Sequence, residues 1–267
     1  MVFEQLFRTD WIERKPRYAF LLGVCYSILG IISARLIFGK NPSMMTVAFT
    51  SVLLIPSLNR LLLDEENVEI REKKLSLKML FLDHKDIFGI YFFLFMGIFM
   101  TYALLALLMP EASVFHLFST QLAVGGFAGQ AFQSDILWSI LLNNIKVLFV
   151  CLVLSFVYGA GSILFIVWNA SVWGTIFGYV AQQSAFAASG NALYYFGATI
   201  IPVLPHMVTE ALSYFSAAIV GGVVSKAVLR EDLFSEKFHH IITDGLIFLV
   251  LGLVLVTIAA IIEVQLF

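Results

Sequence analysis

Seven long apolar runs separated by polar segments dominate the chain, at 18–38, 43–63, 87–109, 138–158, 163–181, 206–227 and 241–263. About 20 apolar residues, rising about 1.5 Å each, cross the roughly 30 Å hydrocarbon layer of a bilayer. Each run has about that length. The runs are continuous and rich in Leu and Phe, with no alternation of period two, so they predict helices and not barrel strands. The expected fold is all-α: a polytopic transmembrane helix bundle of about seven spans. The first run is as long as a full span and lacks a small-x-small cleavage site, which predicts a retained anchor and not a signal peptide.

Basic residues orient the spans, because cytoplasmic loops carry the excess of Lys and Arg. Arg8, Arg14, Lys15 and Arg17 precede the first span. Arg60, Arg71, Lys73, Lys74, Lys78 and Lys85 gather around the loop after the second, and Lys226, Arg230 and Lys237 follow the sixth. These make 13 of the 16 basic residues. Segments 110–137 and 182–205 contain none and read as outer loops. The pattern predicts a cytoplasmic N-terminus and, with an odd number of spans, an outside C-terminus. Residues 64–86 read as a cytoplasmic helix beside the membrane, with Lys73, Lys74, Lys78 and Lys85 available to anionic headgroups. Segment 110–137, nearly uncharged and containing Gly125, Gly126 and Gly129, suits a re-entrant or surface-lying element as well as a loop.

Composition agrees. Residues are 60% hydrophobic and 13% charged, against about 25% charged in ordinary soluble domains. A net charge of −2 gives no case for nucleic-acid binding, which needs a basic face. Cys25 and Cys151 stand alone in apolar runs, so no disulfide framework is expected. No metal or other cofactor is expected either.

Polar residues inside the spans carry the candidate chemistry, since unpartnered polar groups in hydrocarbon are costly. Pro202 and Pro205 are expected to break any helix running on from Tyr194, with Pro205 opening the sixth span. His206 and Glu210 are four apart and share a face. Ser213, Ala217, Gly221 and Ser225 continue that stripe as a small-residue packing seam. The fourth span carries Asn143, Asn144 and Lys146 at a similar depth, which predicts that Glu210 pairs with Lys146 or Asn144. Gly159-Ala160-Gly161-Ser162 reads as a tight turn. Asn169 lies in the fifth span, where Gly174 and Gly178 form a GxxxG helix-contact pattern. Trp168 and Trp173 read as packing residues.

As an ordered set these residues resemble the stage II sporulation protein M (SpoIIM-like) membrane family. The set comprises Asn143-Asn144, the glycine turn, Asn169 with Gly174, then Pro205-His206 and Glu210. The run AAIVGGVVSKA is similar to prokaryotic, especially archaeal, members. Where the family usually has Asn-Gly and His-Gly, this chain has Asn169-Ala170 and His206-Met207. The resemblance divides the chain into a two-span extension with its juxtamembrane segment, 1–86, and a five-span domain, 87–267. It implies a multi-pass protein of the cell membrane. The family's namesake works in a complex with peptidoglycan-remodelling enzymes and is thought to anchor or place them.

Three function classes follow. The first is a non-catalytic scaffold or anchoring subunit of a cell-envelope complex, with the lipid bilayer and membrane or envelope proteins as partners. Self-association is compatible with the small-residue faces. The second is a transporter or channel built on Glu210, His206 and Lys146. The third is an intramembrane metallohydrolase using His206 and Glu210. A zinc site needs a third protein ligand, for which only His116 is placed on the right side of the membrane by the span map.

Overall fold

A computed structural model describes residues 15–69, 77–125, 136–233 and 235–266. Eight α-helices and one 3-10 turn account for nearly all of them, and no strand occurs among the described residues. The helices are α1 Tyr18–Ile37, α2 Ser43–Glu69, α3 Leu77–Leu108, α4 Glu111–Gly125, α5 Ile136–Tyr158, α6 Ile163–Ala187, α7 Ala192–Arg230 and α8 Glu236–Leu266. All except α4 are long and apolar enough to cross a membrane. The chain is therefore a multi-pass membrane protein, as hydrophobic length predicts.

α3 and α7 are the most buried spans and form the middle of the bundle. α7 packs against α8, α5 and α6, while α3 packs against α6 and α1, and α1 against α2. Aromatic rings join the centre. Phe215 of α7 lies 5.7 Å from Phe95 and 5.8 Å from Tyr91 of α3, and Phe95 lies 5.6 Å from Trp173 of α6. These are tilted or edge-on pairs, the arrangement that aromatic quadrupoles favour. Backbones come close where side chains are smallest. A Cβ added at Gly174 would stand 2.5 Å from the Phe99 carbonyl oxygen, so α6 and α3 meet at this distance only because residue 174 is glycine.

Three segments differ in detail from expectation. Pro202 and Pro205 do not break the helix: α7 runs unbroken through both for 39 residues, about 58 Å of helix. Each proline removes one N–H and leaves a carbonyl unpaired, a defect that membrane helices tolerate through neighbouring groups and local adjustment. α6 also continues to Ala187, so only residues 188–191 connect it to α7, and most of 182–205 is helical. The connection closes by local chemistry. Gly190 N–H donates to the Ala185 carbonyl, and the Asn191 side chain accepts from Leu193 and Tyr194 N–H as an N-cap.

Second, of the alternatives open for 110–137, residues 111–125 form a helix and not a loop. α4 has 15 residues and departs from helical geometry at Phe118, so it is too short to span. It buries Val114, Leu117 and Phe118 in the main core. Ser43 Oγ of α2 donates to Gln121 Oε1 at 2.6 Å and accepts from Thr120 N–H at 2.9 Å, which ties α4 to α2. Gln182 Nε2 of α6 donates to the Met109 carbonyl just before it. Gly126, Gly129 and the rest of 126–135 lie outside the described residues.

Third, only the two ends of the expected 64–86 helix are described, and both are helical extensions of spans. α2 continues to Glu69 and α3 begins at Leu77. Arg71, Lys73 and Lys74 lie outside the described residues.

Candidate functional site

Pro205-containing α7 and the end of α8 build the site. His206 and Glu210 stand one turn apart on α7, and His206 Nε2 lies 3.1 Å from Glu210 Oε2. α8 brings Glu263 to the other side, its Oε2 at 3.6 Å from the same nitrogen. One turn before Glu263, Ala259 and Ala260 are fully buried, and these small residues let α8 approach α7. The Ala259 carbonyl lies 3.2 Å from His206 Nδ1. A carbonyl only accepts, so Nδ1 carries the hydrogen and Nε2 is the atom turned to the two carboxylates. Glu210 Oε1 accepts from Tyr214 O–H at 2.6 Å, which fixes the carboxylate plane and leaves Oε2 for His206. The Trp173 ring lies 6.1 Å from the imidazole and covers it from α6.

The cluster is partly buried. Side-chain exposure is 13% at His206 and 7% at Glu210, rising to 24% at Glu263. His206, Glu210 and Glu263 each offer one metal-ligating atom, and these atoms lie within 4.8 Å of one another. The arrangement can hold a proton or a cation between an imidazole and two carboxylates.

Residues 88–266, two-thirds of the chain, match the family model of stage II sporulation protein M, SpoIIM. The chain belongs to the SpoIIM family. The matched segment takes in both halves of the site. No curated protein and no solved structure matches the chain.

The structure brings together only part of the polar set that sequence singles out in this SpoIIM-family protein. His206 and Glu210 are paired. Asn144 is buried on α5, and its Oδ1 accepts from Asn143 Nδ2 at 3.4 Å. The Asn144 amide nitrogen is buried without a hydrogen-bond partner. Lys146 is exposed and makes no ion pair or hydrogen bond among the described residues. The expected Glu210–Lys146 pairing is thus replaced by Tyr214 and His206. Residues two apart on a helix point roughly 200° apart, so burying Asn144 turns Lys146 outward. Asn169 Nδ2 donates to the Phe165 carbonyl of its own helix at 2.8 Å and stands apart from the cluster's hydrogen bonds. His116 is exposed on α4 and lies outside the cluster, whose third member is Glu263.

Sequence reasoning missed Glu263 and Tyr214. Signals for both exist. Glu263 is the only charged residue after Asp244 in a strongly apolar run, and Tyr214 repeats the four-residue spacing of His206 and Glu210.

The small-residue positions of the SpoIIM-family segment lie in tight helix contacts. A Cβ on Gly178 of α6 would meet Ala106 Cβ of α3 at 3.0 Å, and one on Gly221 would stand 2.5 Å from the Leu152 carbonyl oxygen of α5. Ala217 shares an apolar cluster with Leu148 and Cys151 of α5. Ser213 Oγ donates to the Glu210 carbonyl, and Ser225 is buried further along α7.

Near that far end of α7 a second polar junction forms. Asn59 Oδ1 of α2 accepts from Ala160 N–H at 3.1 Å and from Lys226 Nζ at 3.4 Å. Gly159, at φ +66°, makes the turn that presents Ala160; a Cβ there would stand 2.6 Å from Asn59 Oδ1. Only a residue at ease in the left-handed region fits.

Proposed function

We propose that this SpoIIM-family protein is a non-catalytic scaffold of the cell membrane, an anchoring subunit that holds partners of a cell-envelope complex. It sits with its N-terminus cytoplasmic and its C-terminus outside. The observation that carries the reading is the uneven burial of the spans. α5 is the least buried of the seven. It exposes Leu142, Phe149, Val153, Phe156 and Val157. Beside it lies an apolar groove of about 290 Å³ between α5, α7 and α8, with Gly221 and Gly245 among its lining residues. An exposed apolar face beside a groove suits contact with another apolar helix. The occupant proposed is the membrane anchor of an envelope protein.

Photo-crosslinking from membranes of the native host tests this. A crosslinker at Val153 or Phe156 is expected to give one discrete adduct, and one at Ile32 on the exposed face of α1 none. Equal labelling at both places, or no adduct at either, counts against the scaffold. His206→Gln is expected to keep the adduct. Its loss, with normal membrane insertion, would tie function to the polar site instead.

The polar cluster itself favours a second reading, transport. Buried ionisable groups beside prolines on a spanning helix are found at transport sites. Cation flux into proteoliposomes that vanishes in Glu210→Gln would replace the scaffold with that reading.

A further inference from the structure

We infer that His206, Glu210 and Glu263 hold one divalent cation of the zinc class, which clamps α8 to α7 at the Pro205 end of the bundle. The inference goes beyond the scaffold reading and stands or falls separately from it.

Geometry comes first. Zinc binds imidazole nitrogen and carboxylate oxygen at about 2.0–2.2 Å in a tetrahedral arrangement, which puts neighbouring donors roughly 3.3–3.5 Å apart. His206 Nε2 lies 3.1 Å from Glu210 Oε2 and 3.6 Å from Glu263 Oε2. The two carboxylates fall within the same 4.8 Å envelope. Two edges of the tetrahedron are already near length, and a small inward rotation of Glu263, the most exposed of the three, closes the third. Three protein donors leave a fourth position for water.

The surroundings are those of a ligand set. Metal-bound histidines give their other ring N–H to a carbonyl or carboxylate, which fixes tautomer and ring orientation. His206 does this with the Ala259 carbonyl. Ligating carboxylates are themselves hydrogen-bonded, and Glu210 has the Tyr214 hydroxyl.

Charge agrees with this. If the cluster held only a proton, an imidazolium facing two carboxylates would leave net charge −1 in a partly buried position. Lys146 is exposed and does not reach it. A divalent ion with neutral imidazole and two carboxylates gives zero. A divalent ion removes that charge without a second proton on a carboxylate, so charge is compatible with the metal that the geometry points to.

A further observation comes from α5. Asn144, Leu148 and Cys151 lie at four- and seven-residue spacing on one stripe of α5. Leu148 and Cys151 pack with Tyr214 of α7 and Val256 of α8. One turn beyond, towards the Pro205 end, Asn144 reaches the level of Glu210. Its buried amide nitrogen has no partner. A donor left over at that level suits a carboxylate oxygen or the water on a bound ion.

The test uses the full chain, purified in detergent with a tag free of histidine, stripped with a chelator and reloaded with Zn²⁺. Elemental analysis is expected to give about one zinc per chain. His206→Ala and Glu263→Gln are each expected to lose it, while a His239→Ala/His240→Ala double variant keeps it. Size-exclusion profiles check that the variants are folded. Co²⁺ loading of the unaltered chain reads the site without any substitution: visible d–d absorption of a four-coordinate nitrogen/oxygen site, displaced by equimolar Zn²⁺, is expected. Absence of that absorption, zinc well below stoichiometric in the unaltered chain, or zinc retained by both folded variants overturns the assignment.

Discussion

The two polar junctions near the ends of α7 solve the same problem in different ways. At the Pro205 end, a histidine and two carboxylates from α7 and α8 converge, and each charged group depends on another. Near the Lys226 end, a single neutral amide, Asn59, serves a backbone N–H and an ammonium at once. A charged cluster loses its compensation when one member goes. A neutral hub degrades stepwise, because its remaining groups keep bonds that cost little to rearrange. The first junction should therefore be brittle and the second forgiving.

The sharpest way to break the contrast is His206→Leu. It leaves Glu210 and Glu263 facing each other with no nitrogen between them. Removing one member of a buried charged set costs about 3–5 kcal/mol, and the loss should appear as a large fall in the midpoint of SDS-titrated unfolding. A change no larger than that of an exposed α1 substitution would mean that the cluster is not a charged unit.

Next is Tyr214→Phe. It deletes only the hydroxyl that donates to Glu210 at 2.6 Å. Hydrogen bonds to charged groups contribute about 1.5–3 kcal/mol, and the same unfolding assay should show that range. Because Tyr214 is not among the three ligating residues, the variant should still bind zinc, though less tightly.

Asn59→Leu probes the other junction. Ala160 N–H and Lys226 Nζ lose their shared acceptor. An orphaned buried donor costs about 1–3 kcal/mol, with Ala160, which is 1% exposed, accounting for most of it. Lys226 can turn towards water or headgroups, as long cationic side chains do.

How far these junctions can be read from the chain depends on which dimension of the structure is asked about. Depth in the membrane is a property of one segment, so hydrophobic length located all seven spans, and four-residue spacing put His206 and Glu210 on one face. Azimuth is not. Whether Asn144 or Lys146 faces the bundle is set by the neighbours of α5, and matching depth alone wrongly joined Lys146 to Glu210. Glu263 meets His206 across a helix pair 57 positions apart in sequence, a contact that no local pattern encodes. α4 was hidden by its 15-residue length, too short for a spanning signal. The prolines misled for a different reason. Pro202 and Pro205 are strong breakers in water, where a freed segment can hydrogen-bond to solvent, but weak ones in a packed membrane helix, where an irregular segment has nothing better to bond to.

The smallest expected effect is the most discriminating for the forgiving end. Lys226→Met removes the ammonium and keeps most of the side-chain length. The bond it breaks is long, 3.4 Å, and Asn59 Oδ1 retains Ala160 N–H at 3.1 Å. Nothing at the hub is orphaned, so the cost should stay within about 0.5–1 kcal/mol, the net worth of an ordinary hydrogen bond. If Lys226→Met were instead as damaging as His206→Leu, the ammonium would be compensating a charge or binding a group at that end. The contrast between a charged cluster and a neutral hub would then be wrong. A double variant, Asn59→Leu with Lys226→Met, separates the cases. A neutral hub predicts that it costs little more than Asn59→Leu alone, because the lysine's bond has already gone.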